Sequence, residues 1–258
     1  PSDSMYLGNP KSCIAVRVKS RTAYSRVRIE VAETPFFSRS VSEFVLNRPR
    51  TEYTIYPDII WNYEALKNNV QAEPVSVAVK VEMNGDDLGQ RVRTFSVRSI
   101  NECLLGYVAN GTKFYDTSIF FAAYVNEENP MIDQLLREAL NTRIVNRFLG
   151  YQSKAKGVVD KQVYALWNIL QKRKFRYSSV SNTSLSSNVV FSQRVRTFDD
   201  ALDSSQINCV DGSVLFASLL RSINIDPILV RTPGHMFVGY YTDNSHKDMN
   251  FLETTMIG

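Results

Sequence analysis

With 258 residues and a net charge of +4, the chain is long enough for one large domain or two ordinary ones and is only mildly basic. Hydrophobic residues make up 44% and charged residues 22%, which is typical of a soluble globular protein. The apolar runs are strand-sized, so we expect no membrane span. Lys and Arg are spread along the chain, and we therefore expect no nucleic-acid partner.

The cysteines are Cys13, Cys103 and Cys209. This low and odd number excludes a disulfide-dense scaffold and leaves at least one thiol free. Cys13 and Cys103 could pair in an exported protein, and small buried free thiols are the alternative. The chain starts at Pro1 without an initiator Met or a signal segment. That start is compatible with export, the signal or anchor being absent from this chain, and with a cytoplasmic location.

Alternating apolar residues mark strands in the first hundred residues. The pattern surrounds a hairpin turn at 84–89, with strands predicted at 12–19, 24–31, 74–83 and 91–98. Short strands separated by turns are typical of an antiparallel β-sandwich in which each sheet buries one face. We therefore predict a β-sandwich accessory domain at 1–112.

Helical spacing replaces this alternation in the second half of the chain. Apolar residues three and four apart predict helices over 132–145 and 158–172, with their apolar stripes in the core. The segment 114–125 is ambiguous between a last strand and a first helix. A long loop, functional or mobile, is predicted at 178–188, which is rich in Ser and Asn. The predicted class is α+β, with a second domain at 113–258.

A further helix is predicted to begin close to Cys209, because apolar residues dominate 214–220. Three strands should follow it, at 228–230, 235–241 and 251–255, separated by a turn at 231–234 and a polar loop at 242–248. In the middle strand, His235 and Phe237 share one face and Met236 lies on the other.

Cys209, His235 and Glu253 follow one another in the order nucleophile, base and orienting acid. A cysteine in the first turn of a helix faces unpaired N–H groups and the positive end of the dipole, which both favour the thiolate. Antiparallel strands would bring His235 and Glu253 side by side, where the carboxylate fixes the tautomer of the imidazole. The imidazole could then take the thiol proton. Spacing alone leaves open that Cys209 is an inert packed thiol.

Several short motifs occur in this region, namely Asn208-Cys209-Val210-Asp211, Ile225-Asp226-Pro227, the PGHMFV run from Pro233 to Val238, and a final acid-Thr pair. With VRTFDDAL at 195–202, they make the stretch from about Tyr177 to Thr255 resemble the core of the transglutaminase-like superfamily. This is a papain-related group of cysteine acyl-transferases and proteases. The segment 129–177 resembles the helical lead-in of bacterial members.

The resemblance implies that Cys209 is the nucleophile, His235 the base and Glu253 the orienting acid of a catalytic domain. Two residues depart from the pattern: Glu253 stands where Asp is usual, and Phe237 where Trp is common. The longer side chain of Glu253 is expected to shift the imidazole. Both departures leave the substrate class open.

Other residues near the motif have weaker roles. Gln206, three residues before Cys209, is either an oxyanion-stabilising donor beside the Cys209 N–H or a polar loop residue. Asp211 is predicted to serve the helix dipole rather than catalysis, and His246 to be solvated. A zinc site made of the three catalytic candidates would lack paired ligand spacing, so we expect no metal and no cofactor.

The predicted function is a cysteine-nucleophile enzyme that acts on amide bonds of a protein or peptide substrate through a thioester. Deamidation, acyl transfer and proteolysis share this intermediate, and the sequence does not choose among them. The alternative is a non-catalytic binding or scaffold module on the same fold. The N-terminal domain could also present the catalytic domain to a polymeric or surface substrate. The sequence leaves the oligomeric state open.

Overall fold

The computed structural model describes residues 5–153, 155–178 and 187–257. The chain forms two compact units, Pro1–Ile100 and Asn101–Gly258. Both strands and helices are abundant, which confirms the α+β class. The units divide between residues 100 and 101, whereas the sequence predicted a division between 112 and 113. The two strands within 102–116 pair with each other, and the first of them also pairs with a strand at Val190–Arg194 in the second unit. The boundary between the units therefore lies before residue 102, closer to the N-terminus than predicted.

The N-terminal unit consists mainly of strands. They are β1 (Tyr6–Gly8), β2 (Val16–Lys19), β3 (Ser25–Val31), β4 (Phe37–Ser38), β5 (Ser40–Leu46), β6 (Glu52–Tyr56), β7 (Ile60–Trp61), β8 (Glu73–Met83) and β9 (Asp86–Val97). One short helix, α1 (Tyr63–Asn68), follows β7, and its N-cap Asn62 accepts a hydrogen bond from the Ala65 N–H.

Two sheets of this unit share an apolar core. An antiparallel sheet has the order β5-β3-β8-β9, and another sheet has the order β1-β6-β2. Val27 and Ile29 of β3 pack in one cluster with Tyr53 and Ile55 of β6. The period-two alternation predicted for β3 is therefore confirmed, with every second side chain buried.

The hairpin between β8 and β9 is tighter than predicted. Asn84 and Gly85 both have positive φ, 52° and 92°, which is typical of a two-residue type I′ turn. Asp86 already pairs with Met83, so the strand resumes inside the predicted turn segment 84–89. A two-residue turn of this hand matches the twist of the flanking strands.

The C-terminal unit mixes small sheets with helices. Its strands are β10 (Glu102–Ala109), β11 (Lys113–Asp116), β12 (Arg176–Tyr177), β13 (Val190–Arg194), β14 (Gln206–Ile207), β15 (Pro227–Thr232), β16 (His235–Tyr241) and β17 (Met249–Leu252). Its helices are α2 (Pro130–Asn141), α3 (Val158–Lys172), α4 (Phe198–Ser204) and α5 (Cys209–Ser222), with 3-10 helices at Ser118–Tyr124 and Thr254–Met256.

Helix α5 is the centre of this unit. It is buried on all sides from Val210 to Leu220, as expected of a helix inside a core rather than on a surface. Helices α2, α3 and α4 contribute to the same apolar cluster. The antiparallel sheet β15-β16-β17 adds Val238 and Tyr240 to that cluster, so its buried face packs on α5.

The predicted helices agree with the structure to different extents. Helix α3 has the predicted limits, 158–172. Helix α2 ends at Asn141, before the predicted 145, because Arg143 adopts a positive φ of 60° that breaks the helix. The ambiguous segment 114–125 contains both the end of β11 and a 3-10 helix.

None of the helices in the described ranges is long and apolar enough to cross a membrane. Most of the loop predicted at 178–188, namely residues 179–186, lies outside the described residues.

Candidate active site

Cys209 is the first residue of α5, as the sequence predicted, and Asn208 determines where the helix begins. The Oδ1 of Asn208 accepts a hydrogen bond from the Asp211 N–H at 2.8 Å, and the Oδ2 of Asp211 accepts one from the Asn208 N–H at 3.1 Å. The two bonds close a capping box. Cys209 therefore lies beside unpaired N–H groups and the positive end of the helix dipole.

Asp211 also connects the start of α5 to Arg196 through buried contacts. Its side chain is fully buried and forms an ion pair with Arg196, whose backbone N–H also donates to Asp211 at 2.8 Å. These bonds tie the segment before α4 to the first turn of α5. Asp211 thus serves the beginning of the helix, in line with its predicted role.

His235 and Glu253, predicted as base and acid, are in direct contact. Nε2 of His235 lies 2.6 Å from Oε2 of Glu253. The ladder of β16 and β17 ends at the pair Val238 and Leu252, and its extension by one residue would set Glu253 opposite Phe237. The predicted contact between His235 and Glu253 is therefore present, but not between directly paired residues. The contact is diagonal, and the long glutamate side chain spans it.

Glu253 also ends the third strand of the sheet. β17 stops at Leu252, and Glu253 caps the 3-10 helix Thr254–Met256. Its Oε1 accepts hydrogen bonds from the Thr255 N–H at 3.1 Å and from the Thr255 hydroxyl at 2.7 Å. The strand predicted over 251–255 is wrong in its second half. The Glu253 carboxylate caps the 3-10 helix, so the strand ends at Leu252.

The contacts of Glu253 determine the charge on the pair. Burial raises the pKa of Glu253, but the Thr255 hydroxyl, His235 and the Thr255 N–H together outweigh it, and the pKa lies below its usual value. Because an ionised carboxylate can only accept, Nε2 of His235 carries the proton. Nδ1 then holds the lone pair and can take a proton from a thiol.

The residues that follow Glu253 and His235 in the chain both lie near Cys209. Thr254, which is fully buried, has its Oγ1 3.4 Å from the carbonyl oxygen of Cys209. Met236, which follows His235, packs in the same apolar cluster as Cys209. Within the described ranges, the Cys209 thiol forms no hydrogen bond with His235. Such bonds are commonly long in unliganded sites and shorten when substrate binds.

Aromatic rings flank His235 on its own face of the sheet. The ring centroids of His235 and Phe237 are 6.2 Å apart, and Phe237 meets Phe251 edge-on at 5.7 Å. A Cβ on Gly239 would lie 2.6 Å from the Phe251 ring, so glycine makes room for that ring. Phe251 is half exposed. The three rings form a surface, the aromatic face, that an apolar group of a ligand could contact.

Gln206, the oxyanion candidate, lies on the two-residue strand β14, which pairs in parallel with β12. It is exposed, whereas its neighbour Ile207 is buried in the core around α5. Successive side chains of a strand point to opposite faces, so Gln206 points away from that core. Its role as a donor stays a prediction. The N–H groups of the first turn of α5 are the donors that the helix itself provides.

The other thiols differ from Cys209 in their surroundings. All three cysteines are free, with Cys13 exposed and Cys103 buried. Burial raises the pKa of Cys103 to about 11, so that thiol is protonated and unreactive at neutral pH. In the part of the chain that the structure describes, no group of three or more His, Cys, Asp or Glu residues could hold a metal ion.

His246, predicted to be solvated, is exposed but has partners. Its Nε2 lies 2.8 Å from Oδ2 of Asp226, and its ring stacks on Tyr241 with centroids 4.2 Å apart. It lies in the loop between β16 and β17, away from the contact of His235 with Glu253.

The roles of Arg196, Thr254 and Thr255 were not predicted. Thr255 carries a local signal, since a hydroxyl two residues after an acid can form a turn with it. Arg196 and Thr254 act on residues that are 15 and 45 positions away, and no local pattern reveals such pairs.

No family model matches the chain, and no curated protein and no solved structure matches it. The likeness to the transglutaminase-like superfamily therefore rests on the motifs of this sequence and stays a prediction.

Proposed function

We propose that the C-terminal unit is a transglutaminase-like cysteine acyl-transferase or hydrolase that acts on amide bonds of protein or peptide substrates. The 2.6 Å contact between His235 and Glu253 carries this proposal. An ionised carboxylate, held by Thr255, fixes one nitrogen of the imidazole and leaves Nδ1 as a base. Together with Cys209 at a helix N-terminus, this contact supports the roles of nucleophile, base and orienter for Cys209, His235 and Glu253.

The reaction would begin when the Cys209 thiol gives its proton to Nδ1 of His235. The sulfur attacks the amide carbonyl carbon, so that a C–S bond forms and the C–N bond breaks. His235 returns the proton to the departing amine or ammonia. Water or an amine then attacks the thioester, its proton passes through His235 to the sulfur, and a free acid or a new amide leaves. The N–H groups at the start of α5 stabilise the oxyanion.

We also propose the finer architecture that goes with this function. The two sheets that share one core in the N-terminal unit support a β-sandwich accessory domain. The order of helix α5 and strands β15 to β17, with Cys209, His235 and Glu253 in sequence, supports a transglutaminase-like core.

One observation favours a second candidate, a non-catalytic binding or scaffold module. The Cys209 thiol forms no hydrogen bond with His235 in the described part of the chain. A module that has lost catalysis would keep the contact of His235 with Glu253 for structural reasons only.

Alkylation by iodoacetamide at neutral pH separates the two candidates. A Cys13→Ala background removes the exposed thiol, and buried Cys103 serves as an internal control. The enzyme requires Cys209 to react faster than free cysteine, and His235→Ala to abolish that advantage. A rate no faster than free cysteine would favour the non-catalytic module.

Product analysis then identifies the reaction. A glutamine-rich protein is incubated with a labelled primary amine, and ammonia release, label incorporation and peptide cleavage are measured in parallel. Cys209→Ala should abolish whichever signal appears, and equal signals in wild type and Cys209→Ala would refute catalysis.

A further inference from the structure

A cavity of about 750 Å³ lies in the C-terminal unit. Its walls are the 3-10 helix Ser118–Tyr124, strand β15 and the C-terminal end of α5. Most of its lining is apolar, from Ile119, Phe121, Ala122, Val125, Pro227, Leu229 and Met236. Its volume falls in the range of small-molecule and cofactor pockets, which is about 300–1,000 Å³.

The apolar floor of this cavity is continuous with the surroundings of Cys209. Phe121, Val125, Leu229 and Met236 line the cavity and also belong to the apolar cluster on which Cys209 packs. Met236 is next to His235 in the chain. The part of the cavity at Met236 therefore lies towards the candidate nucleophile, whereas the part at Arg221 lies near the opposite end of α5.

Each charged group on the rim already has a polar partner. Arg221 pairs with Glu127 at 2.8 Å, and Asp226 contacts His246 at 2.8 Å. The remaining rim arginine, Arg231, lies 3.4 Å from a carboxylate oxygen of Asp116. A charged ligand would have to compete with these pairs, so the rim favours an uncharged one.

The shape of the cavity follows a strand. Pro227, Leu229 and Arg231 are alternate residues of β15, so they share one face of this edge strand. From Pro227 to Arg231 the strand extends roughly 13 Å, which matches about four residues of an extended peptide.

We propose that this cavity binds an uncharged, apolar segment of the substrate polypeptide, about four residues long, and that it delivers a neighbouring amide to Cys209. The proposal rests on the proposed function, since it assigns the substrate specificity of the same site. The occupant is an extended chain rich in aliphatic side chains, lying along β15.

Binding of two fluorescein-labelled peptides to the Cys209→Ala protein tests this assignment. One peptide carries a glutamine flanked by leucine and valine residues, and in the other aspartates replace the leucines. The leucine peptide should bind about tenfold more tightly, as burial of several methylene groups predicts. Equal affinity for the two peptides would overturn the proposal.

Filling the cavity provides the matched test. Ala122 and Ala123 are both exposed, but Ala122 lines the cavity and Ala123 does not. Ala122→Trp should weaken binding of the leucine peptide about tenfold, and Ala123→Trp should leave it within about twofold. Equal losses in both variants would refute the cavity as the site.

A second pair of variants guards against misfolding of Ala122→Trp. Ile119 lines the cavity and Phe120 does not, and both side chains are at least half exposed. Ile119→Ala should lower the affinity for the leucine peptide, while Phe120→Ala should not, and the reverse pattern would overturn the proposal. Iodoacetamide labelling of Cys209 reports separately on the proposed function, because that small reagent needs no cavity.

Discussion

Nε2 of His235 and Oε2 of Glu253 lie 2.6 Å apart, although the ladder of β16 and β17 ends at Leu252 and its extension would set Glu253 opposite Phe237. Side chains on diagonal positions of neighbouring strands are about 7–8 Å apart at their backbones, so only long ones meet. Glutamate, with one methylene more than aspartate, has that reach. The geometry of this sheet therefore requires the longer Glu253 side chain, where the resembled family usually has aspartate.

Shortening this side chain should separate the pair. In Glu253→Asp the carboxylate no longer spans the diagonal, and His235 loses the partner that fixes its tautomer. We expect kcat to fall about 10²-fold, within the range for general acid–base groups, with little change in KM. Ammonia release from a glutamine peptide measures it. Glu128→Gln, at an exposed position, is the control, and an unchanged kcat in Glu253→Asp would show that the contact is not used.

The lowered pKa of Glu253 predicts a dependence of stability on pH. A carboxyl whose pKa is lower in the folded state stabilises the protein above its unfolded pKa, about 4.3, and this contribution is lost as the pH falls through the folded pKa. Glu253→Gln should therefore lower the free energy of unfolding at pH 7 and have a smaller effect at pH 3. Urea unfolding at the two pH values measures the difference. An effect of equal size at both would contradict the assignment.

Local patterns were sufficient to predict α5 and β16, the elements that carry Cys209 and His235. The apolar run after Cys209 predicted α5, and the limits 235–241 of β16 match the structure. Helix α4 was missed, although its N-cap Thr197 accepts a hydrogen bond from the Asp200 N–H, a recognisable cap signal. A threonine that can cap a helix N-terminus therefore helps to predict even a short helix.

Contacts between distant residues could not be predicted in the same way. Alternation shows which face of a strand is buried, but it does not show which residue of the next strand lies opposite. The loop 242–248 determines that register, and its conformation, with His246 at a positive φ of 58°, has no unique sequence signal. The position of Glu253 relative to β16 could therefore not be predicted from the sequence.

The buried ion pair of Asp211 with Arg196 should matter more to stability than the exposed pairs. The Asp211 side chain is 0% exposed and that of Arg196 is 18% exposed. Asp211→Ala leaves the guanidinium without its carboxylate and removes the capping box, which should cost about 3–5 kcal/mol of unfolding free energy. Arg221→Ala, which breaks a more exposed pair, should cost about 0–1 kcal/mol. Urea denaturation compares them, and similar losses would contradict the prediction.

Thr254 should position Cys209 without taking part in the chemistry. Its buried hydroxyl lies 3.4 Å from the Cys209 carbonyl oxygen and 3.3 Å from Oγ of Ser213. These contacts hold Thr254, and with it the adjacent Glu253, against the first turn of α5. Thr254→Val keeps the shape of the side chain and removes these bonds. Alkylation of Cys209 by iodoacetamide should become slower by a few fold, and stability should fall by about 1 kcal/mol.

Thr254→Ser is the matched control, because it keeps the hydroxyl and removes only the methyl group. Cβ and Oγ1 of Thr254 lie closest to Gly212, each 3.0 Å from the position of an added Cβ, and serine keeps both atoms. The serine variant should therefore retain most of the reactivity of Cys209, since its hydroxyl bonds persist. If it loses as much reactivity as the valine variant, the methyl group and not the hydroxyl positions the helix start. In that case Thr254 contributes by packing, and the link between Glu253 and Cys209 is apolar.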